Sequence, residues 1–257
     1  FVVKNHDELY ELNAAINGMY EELKANIYQL ESELSKERNT ELLKKRFLAQ
    51  ATHELKTPIA VIGGYAELLV EKMYQSEEEE AHYHKSIYEE SQRMNRLIMD
   101  VLDYTKMETG NFQIQKKEQD LHKWAKNLEQ KWMSLAEQAH KHLEVQIPKE
   151  SLQKEFDEFR MEQVVTNLLT NALEHAKSKV IINFRFYDSK VVIQVSNDGK
   201  PIEDGDVPYL FDSFYKAKGK KSGTGLGLAI VKAIIGLHQG EYRVENHQDG
   251  VTFSVSF

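Results

Sequence analysis

One ladder of apolar residues narrows what the start of this chain can become. Leu9, Leu12, Ile16, Met19 and Leu23 follow at steps of three, four, three and four, and Ile27, Leu30 and Leu34 continue the run. Such spacing averages about 3.5 residues and draws a narrow apolar seam along a helix, the pattern of a coiled coil. Two four-residue steps meet at Leu23 and form a stutter, which locally unwinds a supercoil. It is either a place where rotation is passed along or a join between two packing registers.

A second ladder follows, Leu48, Ala51, Leu55, Ile59, Ile62, Ala66, Leu69 and Met73, and breaks near Gln75-Ser76 and the acidic run Glu77 to Glu80. A third runs through Ile87, Met94, Ile98, Val101 and Met107 and stops at Gly110. Two long helices joined by a short polar turn predict an antiparallel hairpin, with the acidic run as its solvated end. One hairpin cannot bury both stripes, whereas two hairpins from two chains can, so the pattern predicts a homodimer with a four-helix bundle.

Composition removes several function classes. The chain has 257 residues, suited to about two domains, and 33 basic against 41 acidic side chains give a net charge of −8. That balance argues against non-specific binding of nucleic acid. Zero cysteines exclude a disulfide scaffold, a Cys-ligated zinc and a thiol nucleophile. No stretch is apolar for the roughly 18 residues of a membrane span, and no secretory signal opens the chain. A start at Phe1 rather than Met, running straight into a helical pattern, reads as a piece of a longer protein.

After about residue 112 the pattern becomes mixed. Phe112 to Gln115 alternates like a short strand, Leu121 to Lys141 reads as helix, and Leu143 to Ile147 as a strand. Phe159 to Ala176 reads as helix, and Lys179–Tyr187 and Lys190–Ser196 as strands. Residues 199–223 read as a long loop, Leu226 to Leu237 as an apolar helix, and Glu241–Asn246 with Val251–Phe257 as a hairpin. The sum is an α+β sandwich.

Four short constellations carry chemistry. In Ala51-Thr52-His53-Glu54-Leu55-Lys56-Thr57-Pro58, the seam positions leave His53 off the core, with Thr57 one turn along the same face. A carboxylate such as Glu54 can hold one imidazole proton and leave the other nitrogen nucleophilic. Pro58 frees the Glu54 carbonyl and loosens the helix next to that site. Asn167 and Asn171 share one helix face, and an amide oxygen is a neutral hard ligand suited to Mg2+. Ser196-Asn197-Asp198-Gly199 ends a strand with strong turn chemistry and offers an acceptor for an adenine amino group. Gly223-Thr224-Gly225-Leu226-Gly227 opens a helix, where backbone N–H groups suit phosphate, and Lys216, Lys218, Lys220 and Lys221 lie just upstream. The spaced pairs His82/His84 and His140/His142 read as surface residues rather than metal ligands.

Taken in order, these motifs resemble the sensor histidine kinases of bacterial two-component systems over almost the whole chain. His53 to Pro58 resembles their H box and Asn167 to Ala172 their N box, preceded by Asp157, Arg160 and Gln163. Asn197 to Ile202 is similar to the first glycine box, Leu210 to Tyr215 to the F box and Gly223 to Leu228 to the second glycine box. Residues 6–19 resemble the second helix of a HAMP module.

The resemblance implies a HAMP-derived and coiled-coil segment at 1–39, a dimerisation and phosphotransfer hairpin at 40–110 and a Bergerat-type ATP-binding domain at 111–257. It implies ATP and Mg2+ as cofactors and a response regulator receiver domain as partner. The reaction is autophosphorylation on His53, with Glu54 as general base, then transfer to an Asp of the regulator. Thr57 would orient water when the protein instead dephosphorylates its regulator. Asn167 and Asn171 would meet phosphate and metal, with Asn171 the Mg2+ ligand. Asn197 and Gly199 would meet adenine, and Phe214, Lys216, Gly223, Gly225 and Gly227 would line the nucleotide site, with residues 203–222 as its lid. The full-length protein is expected on the cytoplasmic side of the membrane, anchored only through a segment upstream of Phe1.

This chain departs from the family pattern at three places. Asn197 stands where Asp is usual, Pro201 replaces a glycine, and Glu174-His175 replace a basic residue and Tyr. The runner-up reading is an ATPase of the same fold with water as acceptor, and the Asn197 and Glu174 departures motivate a third, a phosphatase-dominant or scaffolding receptor.

Overall fold

The computed structural model describes residues 5–108, 112–187, 190–216 and 223–257. Its elements follow in the order α1 (Asn5–Val70), α2 (Glu77–Glu108), β1 (Lys117–Asp120), α3 (Leu121–Gln138), β2 (His142–Gln146), β3 (Gln153–Phe156), α4 (Glu158–His175), β4 (Lys179–Tyr187), β5 (Lys190–Asn197), α5 (Gly227–Leu237), β6 (Glu241–His247) and β7 (Gly250–Ser256). Among the described residues between β5 and α5 lies one 3-10 turn, Val207–Tyr209. The chain divides into two compact units, Phe1–Thr52 and His53–Phe257. The α+β class expected from sequence is the class observed.

The first unit is helix throughout its described length. Its seam residues Leu12, Ile16, Met19, Leu23, Ile27, Leu30 and Leu34 are each 48–71% exposed. The side chain of Leu9 and the HAMP-like residues before it lie outside the described side chains, as does the helix stop expected at Gly110 outside the described residues.

The second unit opens with the hairpin. The chain is helical on both sides of Pro58, whose ring is buried. The helix stops at Val70 because Lys72 turns to φ +54° and the Met73 N–H returns to the Leu68 carbonyl at 2.8 Å, a Schellman-type stop. The acidic run is more than a solvated end. Ser76 Oγ accepts from the Glu79 N–H at 3.2 Å, and the Glu79 carboxylate accepts from the Gln75 N–H at 2.7 Å. That is a capping box, and Glu77 to Glu80 form the first turn of α2, where negative charge opposes the helix dipole. Tyr65 and Tyr83 close the hairpin with ring centroids 5.1 Å apart.

Among the described residues the remainder holds a two-stranded sheet, β1-β3, and a five-stranded sheet of order β2-β4-β5-β7-β6, parallel only between β2 and β4. Register places Ile182 opposite Val195 and Phe184 opposite Ile193, so alternate apolar residues share one face. Helices α3, α4 and α5 cover it with Trp132, Met161, Leu168, Leu169, Ile230 and Ile234, all fully buried. Trp124 meets Phe156 at 5.2 Å and Trp132 stacks on Phe184 at 5.9 Å, an aromatic cluster at one end of the core. His238 is buried in the same layer. Burial holds its pKa below the ordinary value, and it bridges Ile234 O at 2.8 Å and the Asp157 N–H at 3.2 Å.

One expectation fails here, and two strands carried no expectation. Phe112 to Gln115 is not a strand. The strand is β1, Lys117–Asp120, which pairs antiparallel with β3, Gln153–Phe156, an element that had no signal. Both are short and polar, KEQD and QKEF, so neither alternates apolar with polar strongly enough to be read.

At the end of β5 the Asp198 carboxylate accepts from the Lys177 N–H at 2.8 Å, the Ser178 N–H at 3.0 Å and the Ser178 hydroxyl at 2.6 Å. It thereby ties the end of β5 to the connection between α4 and β4. Burial alone raises its pKa, but the Ser178 hydroxyl and the backbone donors outweigh that and hold it well below the usual carboxylate range. Because the folded pKa is depressed, the stabilisation is present above about pH 4 and is lost as pH falls below it. We expect Asp198→Asn, which turns an amide donor toward donors, to cost about 1–3 kcal/mol in urea unfolding at pH 7. The difference from the unmodified chain should shrink in acid; a constant difference across pH would refute the carboxylate's role.

Candidate active site

Two clusters of the expected residues stand on different elements. The first is on α1. His53, Lys56, Thr57, Ala60 and Val61 line a shallow, open hollow. His53 and Thr57 are exposed, and among the described residues no hydrogen bond reaches the His53 ring. Glu54 points elsewhere. Its carboxylate takes the Lys216 ammonium at 2.8 Å and lies 3.9 Å from the Arg93 guanidinium, with Glu54 22% and Lys216 20% exposed. Lys216, expected near phosphate, is thus brought to the hairpin.

The second cluster follows one polar edge of α4. The helix starts at the Asp157 cap, which accepts from the Arg160 N–H, and its apolar stripe is buried against the sheet. That orientation leaves Asn167, Asn171 and Glu174 along the edge, one turn apart. Asn167 Nδ2 donates to the Gly227 carbonyl at 3.3 Å, at the start of α5. Glu174 turns toward the glycine-rich segment, for a Cβ built on Gly223 would lie 3.9 Å from its Oε2.

The glycine turn is built for close approach. Gly223 has φ +83° and Gly225 φ +71°, and a Cβ on Gly225 would lie 2.8 Å from the Phe214 backbone. Phe214, itself at φ +61°, donates its N–H to the Gly225 carbonyl at 2.8 Å. The two stems of the intervening loop are therefore joined. Gly227 is different: its Cβ would meet Asn167 only at ordinary contact, 3.7 Å. The first turn of α5 carries N–H groups with no intrahelical acceptor, a site suited to an anion. Lys218, Lys220 and Lys221, expected to neutralise phosphate, lie outside the described residues, as does part of the expected lid.

At the other end of the edge stands Asn197, 6% exposed, with Nδ2 unpartnered among the described residues. A Cβ on Gly199 would lie 2.3 Å from the His175 carbonyl, so only glycine fits between the strand end and α4. Beyond it the chain is held by Asn246, which donates to the Ile202 carbonyl at 2.8 Å and accepts its N–H at 2.9 Å. A helix N-terminus at one end and a buried amide seeking a partner at the other fit a nucleotide. The Asn171 amide oxygen is the kind of hard donor that Mg2+ takes, with phosphates supplying further oxygens. Among the described residues no group of three His, Cys, Asp or Glu is placed to hold a metal by itself.

Sequence reasoning missed the α2 residues that meet the α/β part. Arg160 binds Asp103 at 2.7 Å and Gln163 at 2.8 Å, with its guanidinium 4.5 Å above the Phe112 ring. Thr224 donates to Asp100 at 3.3 Å. Tyr104 is pushed up to about 12, chiefly by burial and then by the Glu108 charge. Asp100 and Asp103 read as an ordinary polar helix face, because their partners are more than 50 residues away in the chain.

Comparison with known proteins accords with this geometry. Residues 43–110 match the His Kinase A (phospho-acceptor) domain, and residues 156–257 match the histidine kinase-, DNA gyrase B-, and HSP90-like ATPase. The sensor protein SrrB of Staphylococcus aureus is 29% identical over 230 residues, 87% of this chain; the match spans 39% of SrrB's length. The Acinetobacter baumannii histidine kinase AdeS shares the fold, with TM-score 0.67 and 23% identity over 80% of this chain and 96% of that one. So does histidine kinase ThkA, solved in complex with the response regulator protein TrrA, with TM-score 0.65 and 24% identity over 81% of this chain and 60% of that one.

Burial raises the Asp100 pKa to about 6; the Thr224 hydrogen bond opposes this, Asp103 adds to it and Arg96 opposes it. A carboxyl whose folded pKa is raised costs stability when ionised, so this group should stabilise the fold as pH falls from 7 toward 4. Asp100→Asn should remove that slope and gain roughly 2 kcal/mol at pH 7. Unfolding curves at pH 7 and pH 5 check it, and a variant with the same pH slope as the parent would contradict it.

Proposed function

Because the chain belongs to the sensor histidine kinases, carrying both their phospho-acceptor domain and their ATPase domain, we propose that it phosphorylates itself on His53 from ATP and passes the group to an aspartate of a response regulator. The observation that carries the reading is the exposed, unbonded His53 imidazole on the phospho-acceptor helix. Its free ring nitrogen attacks the γ-phosphorus, the bond from that phosphorus to the bridging oxygen breaks, and ADP leaves. Glu54 takes the proton from the other ring nitrogen. Catalysis otherwise consists of positioning and charge neutralisation, as in phosphoryl transfer generally. Asn167 and the first turn of α5 would hold the phosphates, Asn171 would hold Mg2+, which would neutralise their charge, and Asn197 with Gly199 would receive the base. In the observed arrangement the Glu54 carboxylate faces Lys216 at 2.8 Å and Arg93 at 3.9 Å, so it must turn toward the His53 ring to act as the base.

The same reading divides the chain into a HAMP-derived coiled coil at 1–39, a phosphotransfer hairpin at 40–110 and the ATP-binding domain at 111–257. The exposed seam from Leu12 to Leu34 supports a homodimer. The hollow beside His53 and Thr57 fits a receiver domain, with Thr57 orienting water when the regulator is dephosphorylated. The whole protein is read as anchored at the cytoplasmic side of the membrane by a segment preceding Phe1. No helix among the described residues is long and apolar enough to cross a membrane.

Incubation with Mg-ATP should give acid-labile phosphate on the chain that His53→Gln abolishes while ATP binding persists. Glu54→Gln should slow the reaction about 10²–10⁴-fold. Steady phosphate release that survives His53→Gln would replace this reading with an ATPase that uses water.

A further inference from the structure

We propose that the nucleotide site accepts 6-oxopurine nucleotides, guanine nucleotides among them, alongside ATP, and that Asn197 is the residue that admits them. This rests on the nucleotide-site reading above and adds the breadth of its substrate class. Asn197 is the last residue of β5 and is 6% exposed. Its Nδ2 is among the few buried side-chain atoms without a partner among the described residues. A buried amide donor left unpaired costs free energy, so the position is built for an acceptor from outside the chain.

The neighbours explain why nothing internal supplies one. Asp198, the adjacent carboxylate, is engaged by Lys177 and Ser178. Gly199 brings no side chain, since a Cβ there would lie 2.5 Å from Asn197 Nδ2 and 2.3 Å from the His175 carbonyl. Strand register puts Asn197 opposite Val180 and Val251, both apolar. Neither cross-strand neighbour therefore offers a polar partner, and among the described residues Nδ2 stays unfilled.

What fills that edge follows from donor and acceptor types. A carboxylate at this position accepts only. It takes the 6-amino group of adenine but repels the 6-oxo group of guanine. An amide carries one acceptor and one donor side by side. With adenine, Oδ1 accepts from the 6-amino group and Nδ2 donates to N1. With guanine, the amide turned over about its terminal torsion donates from Nδ2 to O6 and accepts at Oδ1 from N1–H. Both arrangements satisfy the donor that is orphaned in the free chain. A site that leaves a buried polar group unpaired with the wrong ligand discriminates strongly; a site that pairs with either does not.

The test is calorimetric titration of the whole chain with ADP and with GDP in Mg2+, repeated on Asn197→Asp. The parent chain should bind the two within about tenfold of each other, and Asn197→Asp should disfavour GDP relative to ADP by about 10²-fold or more. A parent chain that binds ADP but rejects GDP by more than about 10²-fold overturns the proposal and leaves the nucleotide site standing. So does an Asn197→Asp chain that binds ADP with an unchanged ratio. Failure to bind either nucleotide overturns the site and the proposal together. The comparison of ADP with GDP on the parent chain decides the matter even if the variant does not fold.

Discussion

The candidate site depends on which side of α4 is buried. Met161, Val164, Val165, Leu168, Leu169 and Ala172 form one apolar stripe pressed onto the sheet. Fixing that stripe fixes the rotation of the helix, and so fixes Asn167, Asn171 and Glu174 on the edge between the two glycine-bearing turns. No polar residue of the site needs to stabilise the helix for this to hold. Hydrophobic burial sets the geometry, and the amides occupy the positions it leaves.

The turns at the ends of that edge are held by the Asp198 and Asn246 side chains at one end and by the Phe214–Gly225 backbone bond at the other. Among the proposed ligand-facing side chains, Asn197 is thus spared a structural duty, whereas Asn167 also ties α4 to the start of α5. That division lets Asn197 remain buried with an unfilled donor, a strain the rest of the fold supports.

Much of this was legible in the sequence because the signals were periodic or compact. The seam from Leu12 to Leu34, the hairpin ladders and the alternating strands β4 and β5 all follow from spacing. The glycine turn and the Asn167–Asn171 pair were visible as motifs. What was not legible depended on distant partners or on weak polar patterns. The β1–β3 pair has no apolar alternation. The acidic run concealed a capping box, since Ser76 and Glu79 are unremarkable until the helix start is known. Lys216 belonged by motif to the nucleotide loop, yet its ammonium lies on Glu54, 162 residues away in the chain.

Two of the contacts between the hairpin and the α/β part differ in what it takes to break them. Arg160 is held by Asp103 and Gln163 and lies over two aromatic rings, so its planar head is fixed from several directions. Lys216 is joined to Glu54 by one ammonium at the end of a flexible stem. The first is thus held at more points than the second. An opening of the α/β part away from the hairpin that broke the weaker of the two would leave the Glu54 carboxylate with Arg93 alone, a partner on its own hairpin.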